Sequence, residues 1–155
     1  MNISRFIIIF VIFSISLSVI TVLRGFSPVE MGITSPSLEL GDSYTAIYRW
    51  PPRIARIELR SSGNVHLKIY HYIKGENHTI LSEYAERGIF NINIPRRGLY
   101  YVQIQNISNK SVEVNLYITL FGFEKDLMRL SIILDVLSVT ITLLCMVSRL
   151  KREHR

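Results

Sequence analysis

The sequence predicts a mainly β protein: an antiparallel β-sandwich, jelly-roll-like, of seven to eight strands, flanked by two transmembrane helices. Three observations predict it. Two apolar runs bracket the chain, Phe6–Leu23 and Leu130–Val147, each 18 residues long. Between them, apolar and polar residues alternate with period 2 in one segment after another. Clusters of Gly, Pro, Asn and Ser separate those segments at short spacing.

Residues 1–5 read as a cytoplasmic N-terminus and residues 6–23 as the first transmembrane helix. A hydrocarbon core of roughly 30 Å takes about 20 apolar residues in a helix, so this charge-free run crosses if it stands nearly upright. The rival reading is a signal peptide. Met1–Arg5 would be its positive start, Phe6–Ile15 its apolar stretch and Ser16-Leu17-Ser18 its cleavage site. The run continues through Val19-Ile20-Thr21-Val22-Leu23, which favours a retained span. Residues 24–36, punctuated by Pro28, Gly32 and Pro36, read as a linker.

Residues 37–124 form the predicted sandwich. Ser37–Leu40 is a short strand. Tyr44, Ala46, Tyr48 and Trp50 share one face of the next. Ala55, Ile57 and Leu59 alternate with Arg56, Glu58 and Arg60, and Val65, Leu67 and Ile69 with His66, Lys68 and Tyr70. His78–Tyr84, Phe90–Ile94, Tyr100–Gln105 and Val112–Leu120 complete the set. The predicted turns include Pro51-Pro52, Ser62-Gly63-Asn64, Gly75-Glu76-Asn77, Arg87-Gly88, Arg96-Arg97-Gly98 and Asn106 to Lys110. Most strands have one apolar face, and a single sheet would leave it wet, so two packed sheets are expected. Residues 125–148 are the second transmembrane helix with its flank, and residues 149–155 a basic cytoplasmic tail.

The segment Gly98-Leu99-Tyr100-Tyr101-Val102-Gln103-Ile104-Gln105-Asn106, followed by Ser111–Leu120, a span and a short basic tail, resembles the final hairpin of small membrane-anchored GOLD-type domains. That resemblance implies the fold class. The chain departs from the family's cargo receptors, having no disulfide pair, no coiled coil before the span and no dilysine ending. The cargo-receptor role is therefore not carried over.

The formal charge of +6 invites a nucleic-acid reading. Its placement opposes one. Between Gly25 and Asp126 there are 11 Lys and Arg against 10 Asp and Glu, so the domain is nearly neutral. The excess sits beside the spans. Arg5, Arg149, Lys151, Arg152 and Arg155 flank one side, against Arg24, Lys125 and Arg129 on the other. Lys and Arg favour the cytoplasmic side. Both termini are expected inside the cell membrane, with the β domain extracytoplasmic. Cys145, the only cysteine, lies in the second span and forms no intrachain disulfide.

Asp135 is the sharpest single residue, because an ionisable group inside a span is costly and points to a function. Ser131, Asp135, Ser138, Thr142 and Cys145 follow one helical stripe, and Ser14, Ser18, Thr21 and Gly25 form a matching stripe on the first span. Small and hydroxyl-bearing residues let membrane helices approach and hydrogen-bond. The two stripes are expected to face each other, within one chain or between chains, with Asp135 near the depth of Ser18 and Thr21, about five residues below the outer edge.

Three sequons, at Asn77, Asn106 and Asn109, fall in predicted turns and are glycosylation candidates. His66 and His71, five apart, point to opposite faces of a strand, so no metal site is expected. No cofactor and no catalytic motif is expected, and the chain does not read as an enzyme. The expected role is that of a structural or accessory subunit, whose partners are the bilayer and another membrane protein or a second copy. The alternative is a cell-surface module for carbohydrate or peptide, with Trp50, Tyr70 and Tyr72, and further Tyr84 and Tyr101, as its aromatic contacts.

Overall fold

The computed structural model describes residues 3–34, 37–73 and 75–153. Its elements run α1 (Ile3–Phe26), β1 (Val29–Thr34), β2 (Ser43–Trp50), β3 (Ile54–Ile73), β4 (Glu76–Asn93), β5 (Gly98–Asn106), β6 (Val114–Phe121) and α2 (Lys125–Glu153). The chain divides into two compact units. One holds both helices, and the other is Ser27–Gly122.

In the helical unit, Arg5–Phe26 and Lys125–Ser148 are each long and apolar enough to cross a membrane. No Gly or Pro interrupts α1 before Gly25, and Pro28, which cannot continue a helix, follows its end. The first turn of α2 closes when the Met128 amide donates to the Glu124 carbonyl at 2.9 Å. Asp126 in that turn complements the positive end of the helix. Antiparallel register between α1 and α2 is marked at one end by Arg24 Nε, 3.4 Å from Glu124 Oε1, and by Phe26 and Phe123, whose ring centroids lie 5.8 Å apart.

The second unit is one antiparallel hydrogen-bonded sheet with β3 at its centre. One edge of β3 pairs with β4 along nearly its whole length, from Ile54↔Asn93 to Ile73↔Glu76. Two strands share its other edge. β6 takes Ile54 to Ser61 and β5 takes Val65 to His71. β1 then extends the β6 side and β2 the β5 side. At residues 62–64 the partner on one edge changes, and the pairing with β4 shifts register between Arg60 and Val65. The sheet curls there. Ile57, Leu59 and Leu116 from one half join Leu67, Ile69 and Ile104 from the other in a single buried cluster.

Three expectations are corrected here. Among the described residues the count is six strands, because Ser62-Gly63-Asn64 and Arg87-Gly88 lie inside β3 and β4 and are not turns. Inward parity explains the first case. Ala55, Ile57, Leu59, Ser61, Gly63, Val65, Leu67 and Ile69 are all buried, so alternation runs unbroken through the bend. Fully burying one Ile or Leu is worth about 1.5–3 kcal/mol, which outweighs a local turn preference. Gly63 has a specific reason to be Gly: a Cβ there would sit 2.7 Å from Val112 Cγ1. Second, the linker contains strand β1, whose Val29, Met31 and Ile33 alternate with Glu30 and Gly32 and which is held by the β6 edge. Third, Ser37–Leu40 is reduced to one bridge, Leu38↔Val112, and the last strand begins at Val114. Ser35 and Pro36, at the end of the expected linker, lie outside the described residues.

Candidate functional site

In the helical unit, two hydroxyls of the α1 stripe meet Asp135. Ser14 Oγ donates to Asp135 Oδ1, and Ser18 Oγ donates to Asp135 Oδ2 at 2.7 Å. Ser14 is fully buried. The carboxylate thus bonds one α1 hydroxyl at each oxygen, and these residues lie one helical turn apart. Asp135 lies a turn deeper along α1 than expected, beside Ser14 and Ser18 and not Ser18 and Thr21. The reason is that α2 starts at Lys125. Eleven residues separate Glu124 from Asp135, and ten separate Arg24 from Ser14, so the register set at Arg24 and Glu124 carries straight down.

The other stripe residues serve the pair differently. Thr21 and Ser131 are buried, but their hydroxyls turn back to their own helices, to Leu17 O at 2.8 Å and Met128 O at 3.0 Å. Thr142 does the same to Ser138 O at 2.8 Å. Such back-bonding satisfies a hydroxyl locally, so a small residue can sit in a seam without a partner across it. Ser138 is the exception. It is 6% exposed, and its Oγ has no hydrogen-bond partner among the described residues. Beside Asp135 a groove of about 350 Å³ opens between the helices, lined by Ser14, Ser18, Asp135, Ser138 and Thr142 and walled by Ile15, Val19 and Val139.

Within the sheet unit, Trp50 is corrected. It is 0% exposed, stacked between Tyr48 and Tyr100 with centroids at 5.8 and 5.2 Å, so it is core and not a ligand platform. The stack continues to His71, 4.6 Å from Tyr100. Gly98 makes room for that imidazole, since a Cβ there would lie 2.4 Å from His71 Nε2. Burial holds the His71 pKa below its ordinary value, helped by the charges of Arg96 and His78. Burial raises Tyr100, whose hydroxyl donates to Arg96 O at 2.6 Å. His66 lies on the opposite face of β3, its Nε2 2.9 Å from Ser82 Oγ, as five-residue spacing implies.

No family model matches this chain, and no curated protein matches it. Solved structures do. The chain is similar to the PBSX exported protein XepA, with a TM-score of 0.51 at 14% identity over 62% of this chain and 38% of that one. It therefore spans well under half of that protein's length. It is also similar to Aeromonas hydrophila PliG, a periplasmic lysozyme inhibitor of g-type lysozyme, with a TM-score of 0.45 at 14% identity over 63% of this chain and 89% of that one. A family 29 carbohydrate-binding module complexed with cellulohexaose scores 0.36 at 11% identity, over 66% of this chain and 80% of that one. The XepA likeness speaks to fold alone, that of a small β-rich domain.

The sequons divide. Asn106 is 1% exposed and structural. Its Nδ2 shares its hydrogens among the carbonyls of Leu38 at 3.0 Å, Glu39 at 3.0 Å and Lys110 at 2.8 Å. Its Oδ1 accepts from Ser108 N at 2.9 Å and Ser108 Oγ at 2.7 Å. A glycan bonds through Nδ2, so Asn106 is corrected from acceptor to loop clamp. Asn77 and Asn109 are exposed. Tyr70 and Tyr72 point away from the core. Tyr70 stacks on Tyr101 with centroids at 5.1 Å, and Lys68 Nζ lies 5.5 Å above the Tyr70 ring. Tyr101 is the ring beside Tyr70, and Trp50 is not. Cross-strand register decides it.

Proposed function

We propose that this chain is a membrane-anchored accessory subunit that acts through protein–protein contacts. The observation that supports this best is the bonding of Ser14 and Ser18 to Asp135, which joins two apolar helices into a hairpin. Helix pairs in lipid gain little from hydrophobicity and rely on close approach and hydrogen bonds. In this reading the first helix is retained, because cleavage after Ser18 would remove both of the carboxylate's donors. Lys and Arg bias puts both termini in the cytoplasm and the sheet unit outside the cell membrane. The curled sheet is then a jelly-roll-like sandwich whose two layers share β3 and β4. It carries no catalytic role, and glycans attach at Asn77 and Asn109.

Intact mass from mild detergent, combined with crosslinking in membranes, tests this. A full-length mass with a specific crosslinked protein supports the subunit. A mass beginning near Val19 with no crosslinked protein overturns it.

A second reading has its own observation. Tyr70, Tyr101 and Lys68 form an outward surface with Gln103, the cross-strand neighbour of Lys68. Aromatic faces flanked by amide and ammonium donors suit a sugar or peptide ligand. Glycan-array binding lost in both Tyr70→Ala and Tyr101→Ala would favour it.

A further inference from the structure

We propose that the groove beside Asp135 receives a membrane helix of another protein, one that carries a lysine or arginine near the middle of its span. This rests on the subunit reading above and names the chemistry of the partner.

The argument starts from charge. An ionised carboxylate in hydrocarbon is costly unless it is paired. A carboxylate accepts about four hydrogen bonds, and α1 supplies two, both from neutral hydroxyls. No Lys, Arg or His occurs in Phe6–Leu23 or Leu130–Val147, so neither span can neutralise Asp135. A second copy brings the same deficit. It would add another Asp135, and like charges in one site repel. The complementary occupant is a cation on a foreign helix.

The local geometry points the same way. The groove of about 350 Å³ opens at Asp135. Ser138, about one turn further along α2, lines that groove, buried at 6% exposure and with no partner for its Oγ among the described residues. The carboxylate and this hydroxyl are adjacent acceptors. An ammonium brings three donors and a guanidinium five. Ile15, Val19 and Val139 wall the groove with apolar surface, which suits the rest of an incoming helix.

The test uses the full-length protein in phosphatidylcholine vesicles with a synthetic leucine-rich helix of about 20 residues carrying one central lysine. Energy transfer between labels on the two reports association, and a second label pair on α1 and α2 reports the hairpin. The lysine helix is expected to bind about tenfold more tightly than its all-leucine counterpart. That preference should vanish in Asp135→Asn, which keeps one acceptor oxygen for the serines and should lose less of the hairpin signal than Asp135→Leu. Ser138→Ala should reduce it. Equal binding of the two helices, or a lysine preference that survives Asp135→Asn, overturns the proposal. So does protein self-association that excludes the lysine helix. Crosslinking in native membranes separates the two claims. A specific partner without a basic residue in its span overturns this inference and leaves the subunit reading standing. Selective lysine-helix binding with no partner in membranes supports the groove chemistry and removes the subunit reading.

Discussion

Ser14 on α1 and Asp135 on α2 stand 121 positions apart in the chain and share a hydrogen bond. Ser18 completes the arrangement at 2.7 Å from the other carboxylate oxygen. The bonds matter because each lies within a helix apolar enough to cross a membrane, and hydrocarbon would offer no water to replace a lost partner.

Removing both donors should therefore open the hairpin. In the Ser14→Ala, Ser18→Ala double variant, a loss of about 1–4 kcal/mol is expected, from roughly 0.6–2 per interhelical hydrogen bond in membranes. Cysteine crosslinking between α1 and α2 across a denaturant series measures it. Asp135→Asn should lose less than Asp135→Leu, since only the amide retains an acceptor. Equal stability of all three variants would show that the seam holds by packing alone.

Asn106 ties two loops together through five hydrogen bonds. Asn106→Ala leaves buried carbonyls without their donor and should cost about 2–4 kcal/mol. Asn106→Asp should be at least as damaging, because a carboxylate would face three carbonyl oxygens. Chemical unfolding in mild detergent, followed by tryptophan fluorescence from Trp50, reports both. In a glycosylating host, occupancy is expected at Asn77 and Asn109 alone. Mass spectrometry that finds a glycan on Asn106 would contradict its burial.

Trp50 and Tyr101 should separate core from surface. Trp50→Ala removes the middle of a buried ring stack and is expected to destabilise by about 3–5 kcal/mol. Tyr101→Ala loses one half-exposed stacked partner, expected to cost about 0.5–1.5 kcal/mol. Thermal melts followed by circular dichroism rank the two. The reverse order would place the wrong ring in the core.

His71 predicts acid sensitivity. Its imidazole is buried and its folded pKa lies below the ordinary value. The unfolded chain takes up a proton near pH 6.5, whereas the folded chain does so only at lower pH. The stabilising contribution is therefore complete above about pH 6.5 and is lost as pH falls from there toward the depressed folded value. Melting temperature should drop between pH 7.5 and 5, and His71→Phe should flatten that drop. An unchanged pH profile in His71→Phe would assign the effect to other groups. Gly98→Ala should lower stability at every pH, by crowding the ring against Tyr100.

Much of this molecule is written locally. An 18-residue run without charge reads as a helix that can span lipid, because backbone groups in hydrocarbon must bond within their own segment. Alternation over Arg53–Ser61 and Asn64–Ile73 names the inward residues of β3 correctly, since side chains along a strand point to opposite faces. The serine stripe of α1, read at helical spacing, contains Ser14 and Ser18, but which of its members meet Asp135 depends on the register between the helices. The alternation of Val29, Met31 and Ile33 was equally readable, though Pro28, Gly32 and Pro36 masked it.

Other features depend on which residues come together from distant parts of the chain. Ser62-Gly63-Asn64 has the composition of a turn, yet β4 runs beside it and Val112 packs over Gly63, so the chain goes straight through with a bend. Asn106 matches a sequon, but Leu38 and Glu39, nearly 70 positions away, bring the carbonyls that bury it. Trp50 and Tyr72 are both strand aromatics of opposite facing, and what packs over the inward one, Tyr48 and Tyr100 against Trp50, comes from strand pairing, while Tyr72 is left 56% exposed. Periodicity along a strand or helix sets which way a side chain points. What it meets there is set by strand register and helix register, and those are fixed by contacts between segments that the local pattern does not contain.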